Sequence, residues 1–245
     1  MLFAYRGNFV NNFLSSLSWG FFSLYSVVLL TSKMQSIYGW KREELLLMNG
    51  IYGIIIGFYH VFFSVNFDRF SQIIHMGNLD SVLVKPADSQ FLLTFWRINF
   101  ASVSRILIAF GYTMVLTGQM HLAVTPLTLL YFFGITTVSI ILPYSFWFTA
   151  TTCIMWFTKL SNITELLFTL TGTARYPQEM FREGFWYLFV FILTLTFIIT
   201  TPAKVILQRL DMMSIVILFG LSGLLFFFSR WFWKFALRSY TSASS

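Results

Sequence analysis

From Ile106 to Thr158 the chain carries no Asp, Glu, Lys or Arg, and apart from tyrosines and one cysteine the only titratable side chain in that run is His121. About 20 such residues suffice to cross the hydrocarbon core of a bilayer as an α-helix. The run therefore accommodates two crossings and a turn, and a chain of 245 residues is too small to bury it inside a soluble core. Composition points the same way. Only 10% of the residues are charged, against about 25% in soluble domains. In lipid every backbone polar group must be satisfied within the segment, which leaves helices for runs of this kind. The expected fold is an all-α polytopic membrane protein.

Six crossings are expected, in a single transmembrane domain. Residues 1–13 mix Phe3, Phe9, Val10 and Phe13 with Arg6, Asn8, Asn11 and Asn12, a weakly amphipathic pattern that suits a short helix on the membrane surface. Spans are predicted over 14–30, 45–65, 91–117, 126–157 and 212–228, with a kink at Pro143 in the fourth of these. The second contains Gly50, Gly53 and Gly57. The last two form a GxxxG pair that lets helices approach closely, although membrane helices are glycine-rich in any case. Between Lys159 and Lys204 two topologies fit. In one, 161–176 spans and 185–204 dips in and out on the far side; in the other, 185–202 spans.

Both arrangements put the termini on one side. After the last span the tail carries Arg230, Lys234 and Arg238 and no acid, which places both termini and the 66–90 connection in the cytoplasm. The net charge of +7 sits at the ends of apolar runs, so headgroups and topology account for it and nucleic acid is not an expected partner. The one cysteine, Cys153, excludes an internal disulfide. The opening residues do not show the pattern of a cleavable leader, so none is expected, and the first span is expected to serve as the insertion signal.

The connection at 66–90, NFDRFSQIIHMGNLDSVLVKPADSQ, is the longest polar one. Phe67, Phe70 and Ile74, with Ile73 beside them, fall on one helical face; Leu79, Val82 and Leu83 follow a break at Gly77-Asn78. This predicts two short amphipathic helices joined by a turn, lying along the membrane–cytoplasm boundary with Asp68, Arg69, Gln72, His75, Asp80 and Lys85 outward. Pro86 holds Lys85 extended before the next span. An ordinary solvated loop is the plainer alternative.

Motifs for chemistry are missing from the sequence. It has no GxxxxGK(S/T) phosphate loop, HExxH, GxSxG or Cys/His cluster, so no catalytic, cofactor-binding or metal-ligating residue is expected in this chain. A membrane enzyme would have to use His75, Asp80 and Asp88, whose spacing matches no known motif. His60 and Arg105 are the candidate polar sites within the spans, where ionisable groups are costly and often functional. His60 has a neighbouring helix as the simpler partner. Arg105 stands about 12 Å beyond Arg97 along a helix and either snorkels or faces a polar cavity. Trp96 and Arg97 read as an interface anchor, and Arg175, Glu179, Arg182 and Glu183 as a charge-balanced outer rim.

The segment IIHMGNLDSVLVKPADSQF resembles a pattern in permease subunits of bacterial ATP-binding-cassette exporters of the type-2 class, in a branch with six spans. The matching positions are Ile73 or Ile74, Gly77, Leu79, Asp80, Leu83, Lys85 and Pro86. YRGNF at 5–9, Arg175–Pro177 and TTPA at 200–203 are further similarities, while Thr194-Leu195-Thr196 stands where the family more often has a proline. The resemblance implies a cytoplasmic coupling helix between spans two and three, within 68–86, that sits in a cleft of a separate ATPase. Asp68, Arg69, His75, Gly77, Leu79, Asp80, Lys85 and Pro86 are the implied coupling residues. It also implies a re-entrant 185–204 before the sixth span, which favours 161–176 as the fifth.

The resemblance further implies two ATPase subunits, which hold the ATP and Mg, a second permease that is identical or homologous, and residence in the bacterial cytoplasmic (inner) membrane. The expected function is ATP-driven export of a hydrophobic or amphiphilic molecule by alternating access. The alternative is a secondary transporter or channel independent of ATP, which would have to rely on His60 and Arg105.

Overall fold

A computed structural model describes residues 2–33, 36–37, 39–157, 163–176, 197–209 and 211–240. The long helices are α1 (Leu2–Thr31), α2 (Arg42–Tyr59), α3 (Val65–His75), α6 (Val103–Gln119), α7 (Pro126–Thr152) and α10 (Met212–Arg238). Shorter ones are α4 (Asp80–Leu83), α5 (Ser89–Thr94), α8 (Ile163–Thr171) and α9 (Phe197–Ile206). A two-residue antiparallel ladder, β1 (Ser36–Ile37) with β2 (Trp40–Lys41), closes the turn between α1 and α2. Among the described residues five helical stretches are long and apolar enough to cross a membrane: Gly7–Thr31, Arg42–His75, Phe100–Gln119, Pro126–Met155 and Met212–Arg238.

The sixth expected crossing is not among them. Of 161–176, the helix α8 covers nine residues, about 14 Å, roughly half the hydrocarbon thickness. Of 185–204, only the part from 197 onward lies within the described residues, as the buried helix α9. Residues 1–13 do not form a separate surface helix either. From Leu2 onward they belong to α1, which runs unbroken into the first span because no proline interrupts it.

α2 continues into α3 through a wide π-helical turn at His60–Ser64. That turn changes which carbonyls need partners. Asn66 donates its amide to the carbonyl of Phe62 at 2.7 Å, and the N–H of Asn99 donates to the carbonyl of Val61 at 2.9 Å. The first half of the 66–90 connection is thus the end of the second membrane helix and not a separate piece.

The third expected span, 91–117, is also divided. α5 ends at Thr94, and the chain turns before a 3-10 turn at Phe100–Ser102 leads into α6. Asn66 holds this turn from across the bundle, accepting from the N–H of Arg97 at 3.0 Å and donating to its carbonyl at 2.8 Å. Arg105 consequently lies in the first turn of α6, and not 12 Å along a continuous helix from Arg97. α7 passes through Pro143 as one helix.

The glycines of α2 set its packing. A Cβ on Gly50 would come within 2.4 Å of Thr113, on Gly53 within 2.8 Å of Ala109, and on Gly57 within 2.6 Å of Ile106. All three face α6, so the GxxxG pair and Gly50 make one close seam. α7 packs along α10 as extensively as α2 packs along α6, but without a glycine seam. Two apolar clusters result. One surrounds α2 and α9; the other, at the loop end, gathers Tyr59, Phe63, Phe67, Phe70, Tyr144, Trp147, Phe148 and Trp233.

Candidate functional site

The 66–90 connection folds against the loop end of the bundle. α3 stops at a Gly77 with φ of +67°, a conformation glycine adopts without a Cβ penalty. The N–H of Asn78 donates to the carbonyl of Ile73 and that of Gly77 to Ile74, each at 3.0 Å. This paired closure is a Schellman motif, and it turns the chain into α4, which packs against α5. Leu79 and Val82 then insert into the aromatic cluster at 0% and 2% exposure. Burial of each is worth roughly 1.5–3 kcal/mol. The apolar face of the connection therefore packs on protein, against Phe148 and Trp233, and not on the membrane boundary.

The opposite side is open. Met76 is 69% and Val84 81% exposed, and Asp68, His75, Lys85 and Pro86 are exposed beside them. Asp80, the first residue of α4, is half-buried. Arg69 and Lys85 share one partner, Trp96: the guanidinium lies 4.1 Å and the ammonium 3.6 Å from its ring. Cation–π contacts of this kind are worth about 0.5–2 kcal/mol. Trp96 thus clamps both ends of the connection.

The foot of the connection is tied to α7 and α10. Asp88 caps α5, accepting from the N–H of Phe91 at 2.9 Å, and Arg230 of α10 pairs with the same carboxylate. Arg230 also donates to Gln90, whose amide donates to the Tyr144 hydroxyl at 3.0 Å. The indole of Trp233 donates to Ser89 at 3.0 Å. The Arg230 hydrogen bonds hold the Asp88 carboxyl below its ordinary value.

The loop carrying Gly77, Leu79, Asp80, Lys85 and Pro86 is thus anchored at one end of a bundle whose long helices can cross a membrane. The family described as ABC-2 family transporter protein matches residues 17–244. The chain belongs to this family. It is a multi-pass membrane permease of the ATP-binding-cassette transporter class. No curated protein and no solved structure matches the chain.

The permease brings some sequence candidates together and separates others. His60 and Arg105 line one cavity between α1, α2 and α6. Arg175, read from the sequence as part of an outer rim, lines the same cavity, with its guanidinium 5.1 Å from the Tyr52 ring. The charge balance with Glu179, Arg182 and Glu183 misled that reading; those three lie outside the described residues. Sequence reasoning also missed the clamp at Trp96 and the tether to Arg230. The aspartate ahead of an apolar run at 88–93 is a readable helix-cap signal, but nothing local pairs it with a residue 142 positions away.

Proposed function

We propose that the chain is the permease subunit of an ATP-driven exporter and that 68–86 docks into a cleft of a separate ATPase. The single observation that carries this reading is the two-sided construction of the connection. Leu79 and Val82 are locked beneath it, while Met76 and Val84 stay exposed on its outer side. An apolar, fixed surface with charged flanks suits a protein partner better than a solvated loop does. Force applied there would pass through Asp88, Gln90 and Trp233 into α7 and α10.

On this reading two ATPase subunits hold ATP and Mg, and a second permease, identical or homologous, completes the pathway. The chain has six crossings, with a re-entrant 185–204, and sits in the bacterial cytoplasmic membrane with both termini inside. Its substrate is hydrophobic or amphiphilic.

Co-expression with candidate ATP-binding-cassette ATPase subunits from the same genome tests the reading. Gly77→Val and Asp80→Ala are expected to insert normally yet to lose either ATPase recruitment or ATP-driven export. Gly77→Val acts through its positive φ, which costs a β-branched residue roughly 1–2 kcal/mol. Normal recruitment and export by both variants would sink the coupling role, and export that persists without any ATPase would favour a secondary transporter.

A further inference from the structure

The cavity between α1, α2, α6 and the turn after α8 measures about 210 Å³. Two guanidinium groups line it, those of Arg105 and Arg175, together with Tyr52, His60, Ser23 and Ser26. Among the described residues no Asp or Glu does. Apart from Thr171 its remaining wall is apolar, Trp19, Phe22 and Ile56 among it. Tyr52 stands ten residues into α2, about 15 Å from its start, so the cavity reaches from mid-depth toward the loop end.

Arginine keeps its proton in proteins. Both charges border this partly enclosed cavity, where hydration is reduced. Arg175 is held in direction by its Nε–H, which donates to the carbonyl of Gly172 at 2.9 Å, and by the Tyr52 ring. The Nε of Arg105 is buried and has no hydrogen-bond partner among the described residues. A buried donor left unsatisfied on a cation costs free energy that an anion would recover.

We infer that this cavity binds the anionic headgroup of an amphiphile. Arg105 and Arg175 neutralise a phosphate- or carboxylate-bearing group, Tyr52 and the serine hydroxyls lie beside it, and the apolar wall takes the start of the tail. The inference deepens the transport reading by naming a substrate class, and it rests on that reading only for the step of export.

The test is titration of the purified permease in neutral detergent, by microscale thermophoresis, with dioctanoyl phosphatidic acid, dioctanoyl phosphatidylcholine and inorganic phosphate. Phosphatidic acid is expected to bind about tenfold or more tightly than phosphatidylcholine. Arg105→Gln and Arg175→Gln are each expected to weaken phosphatidic acid about tenfold and to leave phosphatidylcholine unchanged, while the Arg→Lys forms recover part of the loss. Ser23→Leu, which fills the cavity and leaves both charges, is expected to weaken phosphatidic acid too and serves if the glutamine forms do not purify.

Competition by inorganic phosphate assigns the site to the free anion, and its absence assigns it to the lipid headgroup; either outcome sustains the anion site. Equal affinity for the two lipids, or undiminished phosphatidic acid binding by an intact Arg105→Gln/Arg175→Gln protein or by Ser23→Leu, overturns it. Because these titrations contain no ATPase, a failed export assay leaves the result standing, and export without headgroup binding removes the site alone.

Discussion

Arg230, in the last third of α10, donates from both terminal nitrogens to the carboxylate of Asp88, which at the same time caps α5. The contact joins the foot of the 66–90 connection to the last membrane helix across 142 residues of sequence. Both side chains are more than a third exposed, so the pair adds only about 0.5–1 kcal/mol to stability. Its larger effect is geometric. Arg230→Lys cannot make the two-pronged contact, so it should impair ATP-driven transport nearly as much as Arg230→Gln, with a small change in melting temperature. Transport by Arg230→Lys at the unaltered rate would show that the two-pronged geometry is dispensable.

The same pair carries a pH dependence. Asp88 is held below its ordinary value of 3.8, chiefly by the hydrogen bond from Arg230. A carboxyl lowered in the folded state adds stability that is fully present above its unfolded value and disappears as pH falls through the folded one. Thermal melts below pH 4 should therefore show a loss that Asp88→Asn lacks. Parallel pH profiles for the two proteins would contradict this.

The seam between α2 and α6 predicts a sharp contrast between glycines. A side chain on Gly57 meets both Ile106 Cγ1 at 2.6 Å and the Ile106 backbone nitrogen at 3.3 Å, and backbone cannot rotate away. Gly57→Val should cost about 1–3 kcal/mol through overpacking and lower the melting temperature in detergent. Gly111→Ala, where nothing lies within 4 Å of the added carbon, should leave it nearly unchanged.

At the far end of the bundle Glu44 is a buried carboxylate. It accepts from the N–H of Lys41 at 3.0 Å and pairs with both terminal nitrogens of Arg209, at 2.7 and 3.2 Å. Arg209 is 54% exposed, which limits the expected cost of Glu44→Gln to about 1–2 kcal/mol. Arg209→Gln should cost more, because it leaves a buried carboxylate without its cation. A melting series in which the order is reversed would count against this account.

Asn49 is fully buried in the cluster around α2, and neither its amide nitrogen nor its oxygen has a partner among the described residues. Asn49→Leu replaces two unmet polar groups with a side chain of similar size and should raise stability by about 1–2 kcal/mol. A lowered melting temperature would point to a polar partner outside the described residues.

Much of the site was legible in order but not in connection. The glycine break at 77, the apolar positions Phe70, Leu79 and Val82 and the exposed charges around them all follow from local periodicity and turn chemistry. What they face does not. Periodicity says that one side is apolar; it does not distinguish lipid from the rings of Phe148 and Trp233. The partners of Trp96 and Arg175 are hidden from the sequence for a related reason. A tryptophan beside an arginine, or a charge-balanced stretch near a span, has a common interfacial explanation, and only distance in space reveals Lys85 over one ring and Tyr52 under the other cation.

Sequence by itself determined that this chain is a helical membrane protein, where most of its membrane-spanning helices run and where the 66–90 connection breaks, at Gly77. Those properties follow from the length of charge-free runs and from short-range pattern, since the cost of exposing a backbone to lipid is paid residue by residue along one segment. Tertiary structure decided the rest: that the second helix runs on through a wide turn, that Asn66 breaks the third near Arg97, that Asp88 meets Arg230, and that Arg105 and Arg175 share a cavity. Each of these joins residues far apart in the chain, and such pairings are set by how whole helices pack, which no local pattern encodes.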